Sequence, residues 1–257
     1  MTLPEALEEI GAQTFTAQKS LISIELPASL KTIGDNAFSS CDLLETVNFP
    51  ENLVTIGNTA FMGCKKISNV DFPNGLESIG SNAFKNVPLE DTLTIPETVR
   101  TIGSSAFNGN NLSTIVICAP EDANENTRAA DATISIGSQA FYSSVSPSRL
   151  ESVYLFYTTP PEITADVFYK SANQSQIDQY KAKLYVPTPE LYKAAPGWEN
   201  FGDNNIITGV GDVETDAEQV FDVYNLQGVR IAKTTDRNLS NLPQGIYIVN
   251  GKKVVKN

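Results

Sequence analysis

The chain has 257 residues, and 41% are aliphatic or aromatic, enough to bury a core and too many for a disordered chain. The formal net charge is −12, and because the six basic and six acidic residues beyond position 210 cancel, the whole surplus lies on the N-terminal portion; such a surface repels phosphate backbones and argues against nucleic acid as a partner. Histidine is absent, which excludes Ser-His-Asp and Cys-His nucleophile systems, imidazole general bases and the usual zinc sites.

The chain starts Met1-Thr2-Leu3-Pro4, without the basic start and apolar stretch of a signal peptide. Either the protein is cytosolic or a leader has been removed. Apolar runs are only a few residues long, so no bilayer-spanning helix is expected. A repeat then begins. Ile-Gly recurs at Ile10-Gly11, Ile33-Gly34, Ile56-Gly57, Ile79-Gly80 and Ile102-Gly103, each step being 23 residues. Phe15, Phe38, Phe61, Phe84 and Phe107 keep that step, as do Pro4, Pro27, Pro50, Pro73 and Pro96. A sixth copy, Ile136-Gly137 with Ala140-Phe141, follows after 34 residues, one period plus 11 inserted residues between about Glu121 and Asp131.

Each repeated residue has a physical task. The segment ending Val47-Asn48-Phe49 alternates and reads as a short strand. Its counterparts are Leu21/Ile24/Leu26, Ile67/Val70/Phe72, Leu93/Ile95, Leu112/Ile115/Ile117 and Leu150/Val153/Leu155. Proline after most of these strands ends the ladder, having no N–H to donate. The repeated glycine is expected at a turn with positive φ, and the Ala-Phe pair is expected to drive a ring into the core from a short helical turn. One unit cannot bury its own apolar face, so units must stack. The expected fold over residues 1–157 is an α/β solenoid, mostly β, of 23-residue units built from short strand, turn and short helical turn. Six strands at about 4.8 Å spacing make a sheet about 24 Å wide.

Residues 26–49, LPASLKTIGDNAFSSCDLLETVNF, follow the consensus L-x-x-I-x-I-P-x-x-L-x-x-I-G-x-x-A-F-x-x-C almost throughout. The pattern resembles the BspA-like, or treponemal-type, leucine-rich repeat family. The resemblance covers about residues 3–157. It implies a bacterial surface or secreted protein that adheres to host proteins or other cells.

Residues 158–209 lose the period and are expected to cap the open end of the core. Leu184-Tyr185-Val186 reads as a last strand. Thr188 and Pro189 form a helix start, and Leu191, Tyr192, Trp198 and Phe201 are expected to close the core; the segment resembles the terminal cap of BspA-like proteins. Residues 210–218 read as an acidic linker, and Gly209-Val210-Gly211 lacks the third glycine of a phosphate loop, so no cofactor is expected. Residues 219–257 form a small all-β unit. Val220–Leu226 and Val229–Ala232 read as strands, and Asn250-Gly251 joins Ile246–Val249 to a return through Val254-Val255, the strongest short hairpin signal. The tail resembles C-terminal sorting-type domains of secreted Gram-negative proteins, which implies export to the outer cell surface.

Stacking brings Cys41 and Cys64 within disulfide reach. The BspA resemblance implies a free buried Cys at this position, and an odd total with Cys118 argues against a disulfide scaffold. Asp122, Asn124 and Asn126 imitate the start of a calcium loop, but Thr127 and Thr133 stand where glycine and glutamate are needed, so no metal is expected. Outward strand positions fall into two rows. Ser23, Thr46, Asn69, Thr92, Thr114 and Ser152 are small and polar, a structural ladder. Glu25, Asn48, Asp71, Thr94, Val116 and Tyr154, near Phe156 and Tyr157, are varied and suit protein recognition. Glu25 and Asp71 fall two strands apart, about 10 Å, with nothing in the sequence that builds a pocket around them, and no enzyme is expected. The expectation is a secreted or cell-surface module that binds a host or microbial protein, with a structural surface protein or a glycan-binding protein as alternatives.

Overall fold

The structure, a computed structural model, describes residues 3–117, 134–143, 149–168 and 182–208, and the backbone of four strands beyond them. It is mostly β. The Ile-Gly positions sit on two-residue strands that sequence reading missed: β1 (Glu9–Ile10), β3 (Thr32–Ile33), β5 (Thr55–Ile56), β6 (Ser78–Ile79), β8 (Thr101–Ile102) and β10 (Ser135–Ile136), with β2 (Ser23–Glu25), β4 (Thr46–Asn48), β7 (Glu90–Ile95) and β9 (Asn111–Ile117) interleaved along the chain. The short strands form one six-stranded parallel sheet, β1-β3-β5-β6-β8-β10. Its partners are residues one period apart, Ile10 with Ile33, Ile33 with Ile56 and Ile79 with Ile102. Ser135 pairs with Thr101 and Ile136 with Ile102 in the same register. The inserted residues are therefore absorbed without displacing the sixth unit; they lie outside the described residues, as do Asp122, Asn124, Asn126 and Cys118.

The repeated glycines do not take the expected positive φ. Their role is close approach. A Cβ on Gly80 would stand 2.5 Å from Asn58 N, and one on Gly103 2.3 Å from Ser81 N, a separation that no side chain tolerates. Left-handed backbone falls instead two residues after the glycine, at Gln13, Asn36, Thr59, Asn82, Ser105 and Gln139, and two after the phenylalanine, at Ala17, Ser40, Gly63, Asn86 and Gly109. That alternation explains why the expected helical turns are not helices. Ser39 N donates back to Asn36 O at 3.1 Å, but Phe38 N turns outward and donates to Ala60 O of the next unit at 2.7 Å. Backbone groups that a helix would satisfy internally tie neighbouring units together instead.

An aromatic column runs through the core. Phe15, Phe38, Phe61, Phe84, Phe107 and Phe141 stack with centroids 5.1–5.5 Å apart. Phe38, Phe61 and Phe84 are fully buried. The column outlives the sequence period. Phe168 stacks on Phe141 at 5.6 Å, and Phe141 N donates to Val167 O at 2.9 Å, so Val167-Phe168 stands where Ala-Phe stood before. The thiols of Cys41 and Cys64 are free and buried. Each lies beside the carbonyl of the preceding unit's phenylalanine, Cys41 Sγ 3.0 Å from Phe15 O and Cys64 Sγ 3.1 Å from Phe38 O. Two repeats further on, Asn110 Nδ2 donates to Phe84 O in the same place.

After β10 come β11 (Ser152–Leu155), the strand of the sixth unit, and then β12 (Lys183–Val186), the single-turn helix α1 (Pro189–Lys193) and β13 (Ile206–Thr208). They complete a five-stranded sheet of order β13-β12-β11-β9-β7. Tyr192, Trp198 and Phe201 are fully buried, with Tyr192 Oη donating to Tyr157 O and Trp198 Nε1 to Pro161 O, both at 2.7 Å. Leu191, expected in the core, is 53% exposed, because a helix of five residues has room to turn only one flank inward. Thr188 stands at the helix start, but its hydroxyl donates to Thr158 O rather than capping the helix.

The last four strands, β14 (Phe221–Tyr224), β15 (Arg230–Thr234), β16 (Gly245–Val249) and β17 (Lys252–Lys256), form an antiparallel sheet of order β15-β14-β16-β17. Val249 pairs with Lys252, so β16 and β17 make the two-residue hairpin that Asn250-Gly251 predicts. The linker at 210–218 lies outside the described residues. No helix among the described residues is long and apolar enough to cross a membrane.

Candidate functional site

The expected strand face exists in two parts. At the N-terminal end β2 pairs with β4, and Glu25 stands beside Asn48 and Ser23 beside Thr46, all exposed. The third unit breaks the line, since residues 67–72 form no strand. The sequence there is Ser68-Asn69-Val70-Asp71, and Asn and Asp favour local backbone hydrogen bonds over a pleated ladder. Asp71 is exposed but has no register partner. The line resumes with Thr94, Val116 and Tyr154 side by side on β7, β9 and β11.

Three of the expected surface residues are buried. Tyr157 is 7% exposed. It shares the inward parity of Val153 and Leu155, since side chains alternate along an extended segment. Thr94 and Val116 are 8% and 2% exposed; they are short side chains registered on the same side as the large Tyr154 ring, and short groups beside a ring lose their access to water. Phe156 and Tyr154 are half-buried. The usable part of the row is therefore Glu25, Asn48 and Asp71 at one end and Tyr154 with Phe156 at the other.

The structure extends the face past the residues that sequence reading selected. Ser152 pairs with Lys183, Tyr154 with Tyr185, and Tyr185 with Ile207. The rings of Tyr154 and Tyr185 stack at 4.6 Å and 8°, and burial raises the Tyr185 hydroxyl above its ordinary range. The signal was available, because Lys183 and Tyr185 flank Leu184 as Ser152 and Tyr154 flank Val153.

At the entry ends of these strands lies an open polar cleft of about 560 Å³, lined among others by Asp91, Ser113, Arg149, Glu151, Lys183 and Tyr185. A β-bulge shapes it. Register shifts between Asp91 and Thr92, leaving Ser113 as the extra residue on β9. Asp91 takes the left-handed conformation, φ 57°, and Ser113 Oγ donates to its carbonyl at 3.0 Å. Bulges re-aim side chains in this manner. Asp91, Arg149, Glu151 and Lys183 are exposed, and none takes part in the four ion pairs among the described residues. No group of three or more His, Cys, Asp or Glu suited to a metal occurs among the described residues.

Residues 1–114 match the BspA type leucine rich repeat region, in 6 copies. In structure the chain is similar to the pneumococcal vaccine antigen PcpA, at 22% identity and a TM-score of 0.52, over 75% of this chain and 41% of that one. It is also similar to a leucine rich repeat protein of T. pallidum, at 25% identity and a TM-score of 0.46, covering 58% of this chain and 76% of that one. A third, a leucine-rich repeat protein from Bacteroides ovatus, stands at 22% identity and a TM-score of 0.41, covering 70% of this chain and 59% of that one. The chain thus spans less than half the length of the pneumococcal protein, and that likeness shows the fold. No curated protein matches the chain.

Proposed function

We propose that this chain is a secreted or cell-surface solenoid of 23-residue units whose exposed strand face binds a protein of a host or a neighbouring microbe, with no catalytic step, cofactor or metal. The observation that carries the reading is the row at β2 and β4. Varied polar side chains, Glu25 and Asn48, stand exposed in register over a core in which the rings of Phe38, Phe61 and Phe84 are fully buried. A rigid backing lowers the ordering cost of association. The match to BspA type repeats and the likeness to a protein named a vaccine antigen support a surface location. The C-terminal strands serve as a sorting or retention device in this reading, as their sequence resemblance implies.

The test is binding of the purified chain to a panel of extracellular-matrix proteins and intact bacterial cells, with wild type set against Glu25→Lys/Asp71→Lys. Expected is a saturable partner whose affinity drops at least about tenfold in the double variant, with an unchanged melting curve, and weakens in high salt. Equal binding by both proteins, or no partner in the panel and no agglutination of cells, counts against the face and favours the alternative of a structural surface protein.

A further inference from the structure

The cleft at the bulge has a polarity that the rest of the face lacks. Asp91 on β7 lies at one end and Lys183 on β12 at the other, three strand positions apart through β9 and β11. At about 4.8 Å per strand that is about 14 Å. Glu151 and Arg149 stand between them, and none of the four charges has an ion-pair partner among the described residues. The cleft volume of about 560 Å³ is within the range of small-ligand sites, about 300–1,000 Å³.

We propose that this cleft holds a short extended peptide segment of mixed charge, its cationic side chain at Asp91 and its anionic side chain at Lys183. The inference rests on the protein-binding reading and names the chemistry of the partner's contacting segment. An extended chain covers about 14 Å in four residues, so the two charges of the segment stand three to four positions apart. A neutral glycan fits less well. Sugar rings seat on an open aromatic face, and one face of Tyr185 is already taken by Tyr154 at 4.6 Å and 8°. A neutral ligand would also desolvate charges of both signs without pairing either. An anionic polymer would meet Asp91 and Glu151.

The probes are fluorescein-labelled octapeptides of Gly and Ser that carry Lys and Asp four positions apart, Lys and Asp adjacent, two Asp, two Lys, or no charge, together with a labelled neutral tetrasaccharide. Fluorescence anisotropy on the full chain is expected to rank the spaced Lys/Asp peptide first, by about threefold or more over the uncharged one, with the difference shrinking in 0.5 M salt. Amide shifts of the spaced peptide's complex should map to Asp91, Ser113, Glu151 and Lys183. Asp91→Lys should lose the spaced peptide and gain the doubly acidic one, and Lys183→Glu should gain the doubly basic one. A gain of the opposite ligand is a result that misfolding does not produce. The inference falls if the uncharged peptide or the tetrasaccharide binds as well as the spaced peptide, or if neither variant switches preference. If a protein partner found on the face is lost with Glu25→Lys/Asp71→Lys but retained by both cleft variants, the cleft inference falls while the protein-binding reading stands.

Discussion

At Gly80 a single methyl group decides whether two units can approach. An added Cβ there would meet Asn58 N at 2.5 Å and Gly57 O at 2.7 Å, whereas at Gly11 the nearest atom is Thr14 Oγ1 at 3.6 Å. Gly80→Ala should therefore cost roughly 3 kcal/mol, the upper end of ordinary overpacking, and Gly11→Ala close to nothing, as read by urea melts. Equal losses would show that the column serves turn geometry rather than close approach. Cys64 offers a second residue-level test. Burial pushes its thiol up to about 12. Below about pH 8.5 the folded and unfolded states both keep the proton. Above that the unfolded chain ionises first, so stability falls with rising pH until the folded thiol also titrates near 12. At pH 10 the contribution of Cys64 to that loss should be about 1–2 kcal/mol, so the loss should be smaller by that amount in Cys64→Ala, which itself costs about 1 kcal/mol at pH 7 by removing one of two hydrogen bonds to Phe38 O, the other coming from Cys41 N at 3.2 Å. Cys41 and Cys64 should resist alkylation in the native protein, and all three cysteines should react in denaturant. A single reactive thiol in denaturant would reveal a disulfide.

Among the elements, the aromatic column runs through the middle of the core, with Ile, Leu and Val packed around it. Phe61 is fully buried between Phe38 and Phe84, at 5.1 and 5.2 Å; Phe61→Ala should cost roughly 3–5 kcal/mol. Phe15 has one stacking partner and is only half-buried, so Phe15→Ala should cost less than half as much. Denaturant melts of the two variants check the gradient, and equal costs would mean that the stack does not distribute its energy as neighbour contacts. This column was legible in the sequence because phenylalanine recurs at one step, and so was the β16–β17 hairpin, whose two-residue turn announces itself. The ladder β1-β3-β5-β6-β8-β10 was not legible. Two residues per strand, Glu-Ile, Thr-Ile or Ser-Ile, are too few for alternation to register, and the glycine that follows masks a close backbone approach as a turn. The face was legible only in part. Parity placed Glu25 and Asn48 outside, but the period hid the Asn69 and Asp71 that weaken the third strand, and no pattern within a repeat shows that a bulge at Ser113 gathers Asp91, Glu151 and Lys183. The bulge depends on pairing between distant segments, which a local period does not encode.

For the whole molecule, the pairings of β14–β17 are all among themselves, while the aromatic column ends on Phe168, Trp198 and Phe201. Removing residues 210–257 should therefore leave the melting temperature of the repeats within about 2 °C, a shift that corresponds to no more than about 1 kcal/mol at this size. A truncated chain that melts much earlier would show that the tail contributes to the repeat fold. In the native cell the same truncation should abolish surface location if the tail sorts the protein, and unchanged location would end that idea. The cleft and the row lie on the repeat side of this cut, so binding should survive it.

The break at residues 67–72 has a mechanical meaning. Elsewhere along the stack a unit is joined to the next by the strand line, by the short Ile strands and by the turn bonds such as Phe61 N to Ala83 O at 2.8 Å. These bonds act as springs in parallel under a load along the stack. Where the strand line is missing, the same force is shared by fewer springs, and each extends further. A chain tethered at one end and tugged by whatever it holds would yield first behind its first two units, like a zip with a missing tooth. In optical-trap pulling between the two termini, the first rip should match the length of about two 23-residue units and should move elsewhere in a variant with Asn69→Thr and Asp71→Thr, which restores residues that suit a strand.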